Sequence, residues 1–171
     1  QTPLLDDGLH GDGLPGDGRF GAVVPPQPDG TLIEFYLPAG DAEGQFRTYP
    51  NVQPAGDGRT ANLAFQVDAT AYAGDQAVLR LLLTQAEYQY LVSEIWGGEP
   101  YSDAVVNGTF VNTDGVLDAG TMTQVRYLCD LRNRGHGTRR NVPHNWHVRF
   151  PKDRPLKDRA GLNLNTYYTH T

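Results

Sequence analysis

Cysteine occurs once in the 171 residues, at Cys129, so no disulfide can close within the chain and a cysteine-rich zinc site is excluded. Its neighbours Tyr127 and Leu128 are apolar, and a thiol in that context reads as a small buried hydrophobe in preference to a nucleophile. No segment approaches the roughly 20 consecutive apolar residues of a membrane-spanning helix, and no charged, apolar-cored leader stands at the start. Long runs of helix formers are nearly absent, there is no repeat of solenoid length, and no G-x-S-x-G elbow or Walker loop is found. Neither Ser93 nor Ser102 stands where a nucleophile would. Basic side chains are scarce in the first half: residues 1–75 hold 3 against 11 acidic ones, whereas residues 76–171 hold 11 against 9. The acidic half suits a cation, and the basic half suits phosphate, nucleic acid or its own acidic neighbour.

What the chain has in quantity is turn formers, 20 glycines and 12 prolines, interleaved with Val, Thr, Tyr and Phe. That composition predicts a mainly β fold with one or two short helices. Arg19–Val24 and Thr31–Leu37 read as a hairpin-like pair around Pro25-Pro26-Gln27-Pro28-Asp29-Gly30, with Ile33, Phe35 and Leu37 on one face. A turn at Asp41–Gly44, a strand at Phe46–Tyr49, a linker over Pro50–Thr60 and a last strand at Ala61–Val67 follow. These are too few for a whole seven-stranded sandwich. From Asp75 the texture changes. Ala77–Leu83 is a nearly continuous apolar strand, and Thr84-Gln85-Ala86-Glu87 carries a capping-box pattern opening a helix with Tyr88, Leu91 and Ile95 on one face. Gly97-Gly98 should end it. Strands are expected near Val105–Asn112, Thr121–Asn133 and Asn145–Phe150, with a hairpin signal at Asn112-Thr113-Asp114-Gly115, a charged loop over 151–159 and a short strand at Leu162–Asn165.

The strongest local signal lies in Asp6-Asp7-Gly8-Leu9-His10-Gly11-Asp12-Gly13-Leu14-Pro15-Gly16-Asp17-Gly18-Arg19-Phe20. The four carboxylates of Asp6, Asp7, Asp12 and Asp17 repel one another unless neutralised, and the glycines let the backbone turn so that carboxylates and carbonyls face inward. Such hard oxygen donors suit Ca²⁺ better than Mg²⁺, which demands a stricter octahedron. The spacing is not that of an EF-hand. A solvated turn held by Asx-type hydrogen bonds, without metal, fits the same residues. The stretch resembles the D-D-G-x-x-G-D-x-x-x-G-D-G-x-[YF] turn of bacterial immunoglobulin-like or fibronectin-like modules, in which it is largely structural and an aromatic, here Phe20, begins the next strand.

A second signal runs from Val125 to Arg140, followed by Asn145-Trp146-His147-Val148-Arg149-Phe150. An apolar strand brings Arg132 and Arg134 to one face, and Gly135 and Gly137 then allow a tight turn with exposed N–H groups, followed by Arg139. Guanidinium forks beside free amides make a phosphate cradle. An arginine-laced strand pairing with Asp130, Asp153 and Asp158 accounts for the same pattern. His136, His144 and His147 with Asp130 suggest a metal, but His144 and His147, three apart on a strand, point to opposite faces, and histidines in surface turns suffice. Trp146, Tyr127, Tyr167 and Tyr168 beside arginines read as sheet core and sheet surface, with sugar or nucleic acid stacking as the other use. Asn107-Gly108-Thr109 is a glycosylation sequon in form only.

Here the chain resembles the CotH kinase family. The V-x-V-R-x-R-G-[NH]-[SG]-[ST]-R strand and turn is similar to Leu131–Arg139, the following aromatic strand to Asn145–Phe150, and the L-N-L-N segment to Leu162–Asn165. Val78–Thr84 resembles the family's opening strand and Asn107–Val111 its A-T-F strand. The resemblance implies an atypical ATP-dependent protein kinase of bacterial surfaces and spore coats, with a divergent kinase fold. By it, Arg132, Arg134, Gly135, Gly137 and Arg139 would face nucleotide phosphates. His144 and Asn145 stand where the family has a lysine, and the family's catalytic aspartates fall beyond Thr171, so no catalytic residue is assigned and the chain alone is expected to be silent, with ATP and Mg²⁺ bound only in a longer protein. The resulting expectation is a piece of a secreted or surface bacterial protein. Residues 1–68 would be the C-terminal part of an immunoglobulin-like β-sandwich stabilised by Ca²⁺ and completed by the rest of its own polypeptide or another chain. Residues 69–171 would be a β-rich, kinase-like N-terminal lobe. A protein substrate or a surface polysaccharide is the expected partner and nucleic acid is not. A non-catalytic extracellular adhesion module, binding glycan or polyanion, is the alternative from another class.

Overall fold

The computed structural model describes residues 2–50, 62–69, 74, 77–97, 104–113, 123–135, 139 and 142–165. The hairpin signal at residues 114–115, most of the linker, and Gly137 with His136 lie outside the described residues. The fold is mainly β, with one helix among the described residues. Two two-stranded ribbons precede a curled five-stranded antiparallel sheet. The first ribbon pairs β1 (Leu32–Phe35) with β4 (Leu63–Gln66), and the second pairs β2 (Leu37–Gly40) with β3 (Phe46–Tyr49). The sheet runs β5 (Val78–Leu82), β6 (Val106–Thr113), β7 (Thr123–Asn133), β8 (Trp146–Arg149) and β9 (Gly161–Leu164) in consecutive order, with α1 (Gln85–Gly97) between its first two strands. No helix among the described residues is long and apolar enough to cross a membrane.

The expected pairing of Arg19–Val24 with Thr31–Leu37 does not form. Residues 22–28 are irregular because Pro25, Pro26 and Pro28 supply no N–H to a ladder, and β1 takes β4 as its partner instead. Pairing is extended by Gly30 N donating to Val67 O and Val67 N to Thr31 O, both at 2.9 Å. The anticipated single strand over 31–37 is also broken at Tyr36, so that β1 and β2 belong to different ribbons.

The helix begins as its cap predicts, with Glu87 N donating to Thr84 Oγ1 at 3.2 Å. Of its expected inward residues Leu91 is buried, whereas Tyr88 is exposed and Glu87 is buried in its place; the Ile95 side chain lies outside the described residues. Leu91 joins Val106, Phe110, Cys129, Leu131, Val148 and Phe150 in the core, where the Phe110 and Phe150 rings meet edge to face at 5.0 Å.

Strand β7 changes sides once. Gly108 lies opposite Cys129 and Phe110 opposite Arg126, so β7 spends one residue more than β6 between these pairs, and Leu128 adopts φ 56°. Cys129, Leu131 and Asn133 therefore face the helix side together with Arg126, whereas Tyr127 and Asp130 face the other side. The β1–β4 ribbon covers part of that other side: Phe35 packs edge to face on Tyr127 at 5.6 Å, Asn107 Nδ2 donates to Asn62 O at 3.1 Å, and Arg80 pairs with Asp68 at 2.8 Å.

Candidate functional site

The half of the outer face that the ribbon leaves open carries the arginine-rich segment. Register sets Arg132 opposite His147 and Asp130 opposite Arg149, and His147 lies opposite Asn163 on β9. Asp130, Arg132, His147 and Arg149, with Val105, line an open cleft of about 290 Å³. Arg149 places Nε 2.7 Å from Asp130 Oδ2 and turns Nη2 to the same oxygen, an exposed pair held side on. His147 Nδ1 lies 2.7 Å from Asn163 Oδ1. The cleft thus combines two guanidinium groups, an imidazole and one carboxylate, an arrangement able to hold an anion against Arg132 while Asp130 is occupied by Arg149.

The remaining residues of the expected phosphate cradle are distributed. Arg134 follows β7 on the same side as Arg132, but its Nη1 donates to Asn165 Oδ1, and its backbone N donates to Asn145 O at 2.9 Å. Gly135 takes φ 114°, a conformation open to glycine, and its carbonyl accepts Arg139 Nε at 2.6 Å. Arg139 is therefore drawn into its own turn. Arg132 alone of the three arginines lines the cleft.

Arg126, not singled out from the sequence, is a buried guanidinium engaged through each of its nitrogens. It is 8% exposed, lies 5.7 Å over the Phe150 ring, and donates to Asn112 Oδ1 at 2.7 Å, Gln124 Oε1 at 2.9 Å, and the carbonyls of Arg154 and Pro155 at 3.2 Å each. The signal that could have found it is Leu128-Cys129, two adjacent apolar residues that break the period of two. His144, expected in a surface turn, is buried beside Trp146, their rings 6.2 Å apart. Burial pushes the Cys129 thiol up to about 11.

The acidic loop is closed by reciprocal bonds between Leu5 and Gly21, N to O at 2.9 and 2.8 Å. Gly21 admits no side chain, since a Cβ would stand 2.2 Å from His10 O. Asp12 is buried and accepts the N–H groups of Asp7, Gly8 and His10 at 2.7–2.9 Å. Asp6 accepts those of Gly16, Asp17 and Gly18, and Asp17 those of Leu14 and Arg19. Asp7 accepts Leu9 N and pairs with His10 Nδ1 at 2.8 Å. That pairing holds the Asp7 carboxyl below its usual range and raises His10, while the Gly8 N–H lowers Asp12. The four carboxylates thus act as acceptors that organise the loop's backbone, and among the described residues no three acidic, histidine or cysteine side chains converge as a metal-binding group.

No protein-family model matches the chain, and neither does any curated protein or any solved structure.

Proposed function

We propose that the open face of β7, β8 and β9 is an anion-binding surface, and that in a longer polypeptide it lies against nucleotide phosphates in a CotH-like atypical kinase of the bacterial cell surface. The observation carrying this reading is Arg132, set across from His147 and beside Arg149 on an uncovered sheet face, immediately ahead of the Gly135 turn. The order of the Leu131–Arg139, Asn145–Phe150 and Leu162–Asn165 motifs supports the kinase assignment. Phosphoryl transfer itself needs a metal-held nucleotide and a positioned acidic group, and this chain contributes only the cationic surface. A protein is the proposed substrate. Retention of ATP with Mg²⁺ should be negligible for this chain and strong for the chain extended beyond Thr171. Arg132→Ala should weaken the longer form about tenfold or more, as expected for one charge-assisted contact. A longer form that ignores nucleotide ends the kinase reading.

A second reading follows from the way Asn165 engages Arg134 and the Gly135 carbonyl keeps Arg139 in the turn, which leaves Arg132, Arg134 and Arg149 strung along the sheet. Such a strip suits a linear polyanion, held by a non-catalytic adhesion module. Retention on a sulfated polysaccharide that falls steeply with salt, without nucleotide binding, is its expected signature. For the acidic loop the proposal is a structural role with Ca²⁺ as added ligand, using the carboxylate lone pairs that the N–H groups leave. Calorimetric titration of chelator-treated protein should show heat and a raised melting temperature; neither at millimolar Ca²⁺ leaves the hydrogen-bonded loop alone.

A further inference from the structure

A groove separate from the cationic cleft lies where the two ribbons meet β7. It measures about 340 Å³ and is walled by Phe35, Tyr49 and Tyr127, with Pro151, Asp153 and Arg154 along its rim. That volume falls within the roughly 300–1,000 Å³ typical of small-ligand sites. Tyr127 reaches this wall because it follows the inward Arg126, and the extra residue Leu128, with φ 56°, resets the alternation so that Cys129 still faces the core. Phe35 braces the Tyr127 ring edge to face. Tyr49 remains 56% exposed, so its ring is not committed to the core.

The rim is held independently. Arg154 N closes a turn on Pro151 O at 3.0 Å, and the buried Arg126 guanidinium holds the carbonyls of Arg154 and Pro155. The backbone beneath Asp153 and Arg154 is thereby fixed. Among the described residues neither of these two side chains makes a hydrogen bond or ion pair, although they are adjacent and of opposite charge. A carboxylate that accepts and a guanidinium that donates, set above aromatic walls, match one chemistry closely. A pyranose offers an apolar C–H face to the rings and hydroxyls that donate to a carboxylate and accept from a guanidinium. An anionic ligand would meet Asp153 and a cationic one Arg154, so the balanced rim favours a neutral ligand. An aromatic peptide side chain would fill the walls and leave both rim groups unused.

We propose that this groove is a binding site for neutral sugar rings, with Tyr127, Tyr49 and Phe35 as platform and Asp153 and Arg154 as the hydroxyl-reading pair. The test is titration of the intact chain with cellohexaose, xylohexaose and maltohexaose, followed by the amide resonances of Tyr127, Asp153 and Arg154. At least one sugar should move these signals in a saturable way. Asp153→Ala and Arg154→Ala, both at exposed positions, should each weaken binding about tenfold, and Arg132→Ala should leave it unchanged. Absence of any saturable shift, equal binding by both rim variants, or displacement of these signals only by a Phe- or Tyr-bearing peptide would overturn the assignment. Failure here leaves the nucleotide experiment untouched, since that reads Arg132 and a longer polypeptide.

Discussion

Arg126 ties together four acceptors from β6, β7 and the loop at 151–155, so its loss acts on more than one contact. Arg126→Met keeps the stem over Phe150 but strands Asn112 and Gln124, and should cost about 2–4 kcal/mol in urea unfolding. Arg126→Lys should recover little of this, because an ammonium cannot reproduce the planar fork. Cys129 has no exposure and a thiol raised by burial to about 11, so native protein should leave a thiol reagent unreacted until denaturant is added. In the acidic loop the pH dependence has two opposite limbs. His10 is raised above 6.5 by Asp7, so its contribution is complete below 6.5 and disappears as pH rises through the folded value. Asp7 and Asp12 are held below 3.8, so theirs is complete above 3.8 and disappears as pH falls through the lower folded values. Protection of the Gly8 and His10 amides, taken relative to their intrinsic exchange rates at each pH, should therefore be greatest between those two limits and fall on both sides.

Among the elements, those fixed by short-range chemistry were legible in the sequence. β3 begins and ends at the expected Phe46 and Tyr49, α1 starts after Thr84, β5 and β8 fall inside their expected ranges, and β9 begins and ends one residue before the expected Leu162–Asn165. The N-terminal pairing was not legible, because β1 finds its partner across the segment 36–62, and alternation on one strand says nothing of which strand will meet it. The exposure of Tyr88 was likewise not legible, because Glu87 serves the cap through its N–H and still turns inward. The same holds for the site: alternation along β7 was enough to set Arg132 and Arg134 on one face, while the neighbours of Arg132, His147 and Arg149, follow from register, which no periodicity specifies. In the charged loop, Leu156 and Arg159 bridge around Lys157 and Asp158, both with positive φ, the geometry of a two-residue turn that prefers Asn-Gly. Asp158→Gly should stabilise the protein by about 0.5–1 kcal/mol, measured as a raised unfolding midpoint without change of slope.

At the scale of the molecule, an acidic, loop-rich first half lies against a sheet through Phe35–Tyr127, Asn62–Asn107 and Asp68–Arg80. These contacts cross residue 68, the boundary expected between the two parts, so the β1–β4 ribbon and the sheet share packing. Phe35→Ala should loosen them together, at a cost of about 3 kcal/mol or more, read as loss of exchange protection in both β4 and the N-terminal half of β7. The supernumerary residue in β7 has a consequence for inheritance as well as for packing. Deleting the single codon of Leu128 would set Arg126 and Cys129 two residues apart, the same step as Phe110 to Gly108 across the ladder, so both would keep facing the interior and Tyr127 the outside. The smallest in-frame event available to a gene would thus remove the kink and leave each surface of the sheet its chemical character, as expected of a bulge that arose by inserting one codon into a regular strand.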